Sequence, residues 1–311
     1  MIQTLNKPQN LLFYTNYSLQ HLTTIKIGGR ASYYARLHRF NELVAAITFA
    51  REQHLPFFIL GNGSNILLSD DDFNGLVIQL HGELGAIEFH EEEGTVTAGS
   101  GALLMELGNE IAERGYLGCA YMGVIPGTVG GAVRMNAGTL EEGEIKDQFL
   151  HADVFDPETG AITTYTEHDM CFGYRTCALS RSRKIILKTT FKLPSRKEIV
   201  TGAAREIVIS LRARRHKKQP KNFRNFGSTF KRPPEGKPPG WYLERVGMKG
   251  MRKGGAMVSE EHANWILNVD NAKSADVKYL IAEGQRRVFD EFGIQLQREV
   301  IYLPEDIAEW T

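Results

Sequence analysis

Residues 60–73 read LGNGSNILLSDDDF, and residues 123–138 read GVIPGTVGGAVRMNAG. In the first stretch Gly61 and Gly63 follow an apolar run, Phe57–Leu60, and let the chain turn so that successive backbone N–H groups face an anion. Asn62 lies between the two glycines, and Ser64 and Asn65 add side-chain donors. In the second stretch a prolyl turn, Gly127, Thr128 and the Gly130–Gly131 pair form a surface of small residues against which a flat or phosphorylated ligand can lie. Taken alone, the first stretch also reads as an ordinary turn between strands, and the second as close packing of helix on loop. Neither is a nucleotide fingerprint: no Gly-Lys-Ser/Thr follows the first, and its GxGxxG pattern is incomplete. Together they suggest a bipartite diphosphate site.

Working outward, Phe40, Leu43, Val44 and Ile47 recur three and four apart and predict a helix. Apolar runs at Phe57–Leu60 and Leu76–Leu80 predict buried strands, so residues 1–80 read as a small α/β unit. Between about 81 and 211 the texture changes. EGTVTAGSGA predicts a strand and turn, and Leu103, Leu104, Leu107 and Ile111 a helix closed by Gly115. Residues 115–138 read mostly as loop, and HADVFD, AITTYT and KIILKTTFKL as strands of an antiparallel sheet with a DPETG turn. A third region, 212–311, begins near a helix ending in RARRHKKQPK. It ends with a helix over Ser274–Phe292, with Ser274 as N-cap and Val277, Ile281 and Val288 on the inner face. Between them RPPEGKPPG is expected to be irregular, because proline lacks a donor.

A chain of 311 residues is long enough for two or three domains, and 42% hydrophobic with 24% charged residues fits a folded protein. Zero formal net charge argues against nucleic acid or a membrane surface as the main partner. No secretory signal and no run long enough to span a bilayer is read, and three cysteines without CxxC spacing point to free thiols in a reducing compartment. Histidines are scattered without metal-ligand spacing, so no metal is expected. A cytoplasmic location follows.

Four further constellations bear on chemistry. In FGYRT, Tyr174–Arg175 can place a guanidinium in a cleft to hold a carboxylate, or can be a surface pair. The run Arg212, Arg214, Arg215, Lys217, Lys218 and Lys221 makes a positive patch suited to phosphate, or a solvated helix end. In NFGSTFKRPP, Ser228 sits in a turn without a nucleophile-elbow pattern, so it reads as a proton donor or as a turn serine bonding its own backbone. In IQLQREVIYL, Glu299 stands within an alternating strand pattern. It either has a buried partner or faces water.

The order of the motifs carries more than any one of them. HLTTIKIGGRASYY, ILGNGSNILLSDDDFNGLVI, GVIPGTVGGAVRMNAG, FGYRT, FGSTFKRPP, GGAMVSEEHANWILN and FGIQLQREVIYL resemble the successive signatures of the UDP-N-acetylenolpyruvoylglucosamine reductase family, shorter type, from about Asn16 to Leu303. The resemblance implies an α+β chain of three domains. Residues 1–80 and 81–211 would form a vanillyl-alcohol-oxidase-like FAD-binding module, and 212–311 a substrate-binding domain. It implies non-covalent FAD, NADPH as electron donor, and reduction of UDP-N-acetylglucosamine enolpyruvate in peptidoglycan precursor synthesis by a monomer. Arg175, Ser228 and Glu299 carry over as catalytic residues. Gly61, Asn62, Gly63, Ser64, Asn65, Gly127, Thr128, Gly130 and Gly131 carry over toward the cofactor, and Tyr174, Lys218 and Lys231 toward substrate. Departures from the family pattern stand at Tyr121–Met122, at Cys177–Ala178, and at Arg232.

Overall fold

Leu43, Ala46, Ile47, Phe49 and Ala50 are the buried stripe of α1 (Phe40–Glu52), as the spacing predicts; Val44 lies off it and is exposed. The stripe packs on a sheet built from β1 (Tyr14–Ser18), β2 (Arg30–Leu37), β3 (Phe57–Ile59) and, after the short β4 (Ile66–Leu68), β5 (Phe73–Leu80). Its order is β1-β2-β5-β3, with β1 antiparallel to β2 and the other pairs parallel. Burial on both faces explains why β5 reads as a nearly unbroken apolar run. This computed structural model describes residues 11–116, 118–139, 142–193, 202–220 and 224–309. Lys221 and the side chain of Lys218 lie outside the described residues.

The second sheet follows from β6 (Ile87–His90) and β7 (Thr95–Gly99). After α2 (Leu104–Glu113), α3 (Val129–Arg134) and the hairpin of β8 (Gly138–Thr139) with β9 (Gly143–Glu144), it resumes with β10 (Phe149–Phe155) and β11 (Ile162–Thr166). Past the single turn α4 (Glu167–Met170) it ends with β12 (Ile185–Lys192). Its order, β11-β10-β12-β7-β6, is antiparallel throughout, as expected. Val96, Leu107, Ile111, Val133, Phe149 and Phe191 lie in its core. The loop expected over 115–138 is more regular than composition suggests, since it holds a 3-10 turn at Ala120–Val124 and the helix α3. Thr128 Oγ1 accepts from the Gly131 amide and caps α3. The reason for Gly130 is proximity: a Cβ there would stand 2.7 Å from the Ser100 Cβ.

α5 (Ala203–Lys218) runs without a break across position 211. Its Ala204, Val208 and Leu211 pack on Ala112, Ala120 and Val124 of the preceding region. Then come α6 (Pro239–Arg245), the antiparallel strands β13 (Arg252–Lys253), β14 (Ala256–Val258) and β15 (Ile266–Asn268), α7 (Ser274–Phe292) and β16 (Ile301–Leu303). α6 begins inside RPPEGKPPG, with Pro239 at the first helical position, where a missing N–H costs nothing. Val277, Ile281 and Val288 are buried as expected. Among the described residues no helix is long and apolar enough to cross a membrane.

Two expectations about this region change. Ser274 is the first helical residue rather than the cap. Asp70, from the turn after β4, takes the capping role, and its Oδ2 accepts from the Ser274 amide at 2.7 Å and from Ser274 Oγ at 2.8 Å. The predicted strand through Glu299 is short: only Ile301–Leu303 is strand, and Glu299 lies just before it. β16 runs parallel to β4 and so joins the first region, with Leu303 buried beside Leu60 and Leu68. Asp70→Ala removes the α7 cap and should lower stability by about 1 kcal/mol, within the ~0.5–2 kcal/mol usual for caps. Urea unfolding followed by circular dichroism measures it, and an unchanged midpoint would show that this cap contributes nothing.

Candidate active site

A cavity of about 1610 Å³ is lined by both glycine stretches and by Arg175, Ser228 and Glu299. Drug-sized ligands usually occupy about 300–1,000 Å³, so this volume has room for more than one such molecule. The two stretches meet. Ser64 Oγ donates to the Pro126 carbonyl at 2.9 Å, and a Cβ on Gly61 would stand 2.5 Å from Thr128 Oγ1.

Their backbones are used differently. In the first stretch, with Gly63 at φ +61°, none of the amides of residues 61–65 donates to a protein acceptor among the described residues. In the second, the Val129, Gly130 and Gly131 amides are bonded to Ala102 O, Ser100 O and Thr128 Oγ1. The side chains of Ser64 and Asn65, expected as ligand donors, hold the protein together instead: Asn65 Nδ2 donates to the Glu299 carbonyl at 3.1 Å. Free amides for an anion therefore lie along residues 61–65.

Arg175 reaches the cavity from a tight loop. Gly173 and Thr176 exchange backbone hydrogen bonds, and Arg175 itself has φ +53°. Its Nη1 donates to Asn136 O at 3.2 Å and Glu144 Oε1 at 3.4 Å, and its Nη2 to Gly138 O at 2.6 Å. Its Nε lies 3.3 Å from Glu299 Oε1. Only 13% of the Arg175 side chain and 16% of that of Glu299 is exposed, so both readings that put these residues on the surface fail. Tyr174 is exposed, stacks its ring 5.0 Å from the Arg175 guanidinium, and accepts from the Arg232 amide at 3.3 Å. Lys231 Nζ donates to the Arg175 carbonyl at 3.3 Å.

Ser228 is half-buried in the cavity wall, and its hydroxyl has no partner among the described residues, unlike a turn serine bonding its own backbone. Gly227 at φ +82° precedes it. Asn264 fixes the next two residues, accepting from the Phe230 amide at 3.0 Å with Oδ1 while its carbonyl accepts from the Thr229 amide at 2.8 Å. The Glu299 amide donates to Thr229 O at 2.9 Å, so the Ser228 turn and Glu299 share one backbone clamp.

The basic run divides. Arg214 pairs with Glu142, whereas Arg212 donates to Asn109 Oδ1 and Gly123 O and also lines the cavity. Arg215 lines the cavity. Burial pushes the Glu299 carboxyl above the usual range, against the pull of Arg175 and Lys231. Burial also lowers Lys231.

Residues 31–166 match the model of an FAD binding domain, and residues 219–303 that of the UDP-N-acetylenolpyruvoylglucosamine reductase C-terminal domain. A curated UDP-N-acetylenolpyruvoylglucosamine reductase from Caldicellulosiruptor bescii is 35% identical over 301 residues, covering 96% of this chain and 93% of that protein. The chain belongs to this reductase family. The protein of the same name from Synechocystis sp. is 37% identical over 297 residues, covering 93% of this chain and 90% of its own. A crystal structure of the enzyme from Thermus caldophilus aligns with a TM-score of 0.76 at 34% identity, over 95% of this chain and 99% of that one. The chain is accordingly an FAD-dependent oxidoreductase of the family, with an FAD-binding domain followed by the family's C-terminal domain.

The residues present fit an FAD. The amides of 61–65 suit a diphosphate, and Ser100 Oγ and His81 Nε2 are buried at the cavity without partners among the described residues. Reading the sequence missed Ser100, Asn136, Glu144, Arg134 and Asn264. Asn136 and Arg134 stand inside the quoted glycine stretch, and their proximity to it was the available signal. Arg134 braces the loop after FGYRT through the carbonyls of Leu179, Ser182 and Lys184. The departure at Cys177 keeps a polar contact, its Sγ donating to Arg134 O at 3.3 Å.

Because the folded-state pKa of Glu299 is raised, the folded chain holds a proton that the unfolded chain releases at lower pH. The stability this group contributes is complete below the ordinary Glu value and is lost as pH rises through the raised one. Urea unfolding of wild type and Glu299→Gln across that window should show the variant gaining relative stability as pH rises. A constant difference would mean that Glu299 titrates like an exposed carboxyl.

Proposed function

We propose that this chain reduces UDP-N-acetylglucosamine enolpyruvate to UDP-N-acetylmuramate with NADPH, a step of peptidoglycan precursor synthesis. One arrangement supports the reading: Arg175, Ser228 and Glu299, far apart in sequence, line one cavity together with the open amides of 61–65. Bound FAD supplies the hydride chemistry. Its diphosphate would be held by Gly61, Asn62, Gly63, Ser64 and Asn65, with Gly127, Thr128, Gly130 and Gly131 on the other side. Tyr174, Lys218 and Lys231 hold the substrate.

Hydride arriving at the enolpyruvyl methylene carbon leaves negative charge on the α-carbon and its carboxylate. Arg175 faces that charge as a buried cation, where attraction is stronger than in water. Glu299, whose carboxyl burial pushes toward the protonated form, serves beside it as a hydrogen-bonding acid. Ser228 Oγ gives its proton to the α-carbon and recovers one from solvent; a hydroxyl is a weak acid, but an enolate is a strong base. In this reading residues 1–80 and 81–211 form the FAD-binding module, of vanillyl-alcohol-oxidase type, and 212–311 the substrate domain. The enzyme works in the cytoplasm as a monomer, without nucleic-acid or membrane partners.

Purified chain should oxidise NADPH rapidly only when UDP-N-acetylglucosamine enolpyruvate is present, read by the loss of NADPH absorbance. Ser228→Ala should lower kcat by about 10²–10⁴-fold, the usual contribution of a positioned acid, with flavin content unchanged. Oxidation indifferent to that substrate would overturn the reading.

A further inference from the structure

We infer that Glu144, with Asn136, is a positioning residue that fixes the Arg175 guanidinium for the reaction. A guanidinium carries five N–H donors in one plane, so holding it in a single orientation takes acceptors on several sides. Arg175 has them. Glu299 meets Nε, while Glu144 Oε1, Asn136 O and Gly138 O meet Nη1 and Nη2. Arg175, Gly138 and Glu299 line the cavity, whereas Glu144 and Asn136 are not among its lining residues. Glu144 therefore grips the guanidinium from behind and acts through Arg175.

The grip is itself braced. Asn136 is fully buried at φ +42°, and its Nδ2 donates to Glu144 Oε2 at 3.1 Å and to Gly173 O at 2.9 Å, the latter in the loop that carries Arg175. Its Oδ1 accepts from the Lys146 amide at 3.0 Å. The β8–β9 hairpin sets Glu144 opposite Gly138, so two of the acceptors belong to one register pair. The Glu144 carbonyl accepts from the buried Tyr121 hydroxyl at 2.7 Å, and its amide donates to Asp147 Oδ2 at 2.7 Å. Lys146 Nζ, 3.3 Å from Glu144 Oε2, offsets part of the second carboxylate that Arg175 faces. An arginine held at positive φ persists only where its surroundings over-determine it, and these contacts are what over-determine it.

The inference rests on the reading proposed above, in which Arg175 acts on charge that develops on the substrate. The test separates the two. Holoenzyme is reduced with dithionite, mixed with UDP-N-acetylglucosamine enolpyruvate, and the return of oxidised-flavin absorbance is timed. Wild type should reoxidise quickly; if it does not, the proposed function fails. With wild type active, Glu144→Ala should slow this half-reaction by roughly 10–100-fold, the scale expected when a catalytic group drifts by about an ångström. Reduction of its flavin by NADPH should stay within about twofold, because that half-reaction needs no enolate stabilisation. Glu144→Gln keeps an acceptor for Arg175 and should fall between the two. In an Arg175→Ala background, Glu144→Ala should add almost nothing, since a residue acting only through Arg175 has nothing left to act through. Normal reoxidation by Glu144→Ala overturns the inference. So does a further slowing in the Arg175→Ala background, or slowing of both half-reactions with loss of flavin, which would mark a structural role only.

Discussion

The site depends on the return of residues 299–303 to the first glycine stretch. Ile301, Tyr302 and Leu303 pair in parallel with Ile66, Leu67 and Leu68, and Asn65 takes both the Glu299 carbonyl and the Ile301 amide. Leu67, Leu68 and Leu303 are almost wholly buried at this seam. The same short segment fixes the backbone of Glu299 on one side and, through Thr229, the Ser228 turn on the other. An acid and a proposed proton donor from different parts of the chain are thus registered against the loop with free amides by ladder hydrogen bonds rather than by side-chain packing alone.

Periodicity made the framework legible. α1, α2, α7 and the strands β5, β10 and β12 occur where apolar spacing places them, because each buries at least one face, whereas β11 forms where it is expected although it buries none of its residues. α3 was unreadable for a local reason: two glycines inside a two-turn helix oppose helix formation by about 1 kcal/mol each. Contact with Ser100, distant in sequence, explains Gly130. The alternation in IQLQREVIYL marks Glu299 as half-buried or exposed, and nothing near it in sequence reveals Arg175. Ser228 and Arg175 were found by motif order, whereas Glu144 and Asn136, whose importance lies in what they touch, were not found.

The two glycine stretches also divide their work in a way composition conceals. One leaves five consecutive amides without acceptors among the described residues, and the other commits three to neighbouring carbonyl and hydroxyl oxygens. A glycine can thus mean an open backbone or a crowded one. The neighbouring group of Arg175, Glu144, Glu299 and Lys231 is an expensive way to hold a fold together, since burying charges costs several kcal/mol per ion before attraction is counted. Its concentration around one guanidinium in the cavity wall, with Glu144 and Lys231 behind the lining, fits a requirement for orientation more than one for stability.

The seam between β4 and β16 has a consequence for how the protein is made. Asn65 and Glu299 are 234 positions apart, so a long stretch of chain is made after Asn65 before the segment that completes this wall exists. The entropic cost of so long a closure grows only slowly with length, so the equilibrium tolerates it easily. Timing is another matter. Until residues 299–303 emerge, the apolar edge formed by Ile66 and Leu68 has no partner strand, and an unpaired strand edge invites association with other nascent chains. The wall that carries Glu299 is therefore completed only after residues 299–303 have been made, and until then this edge stays open.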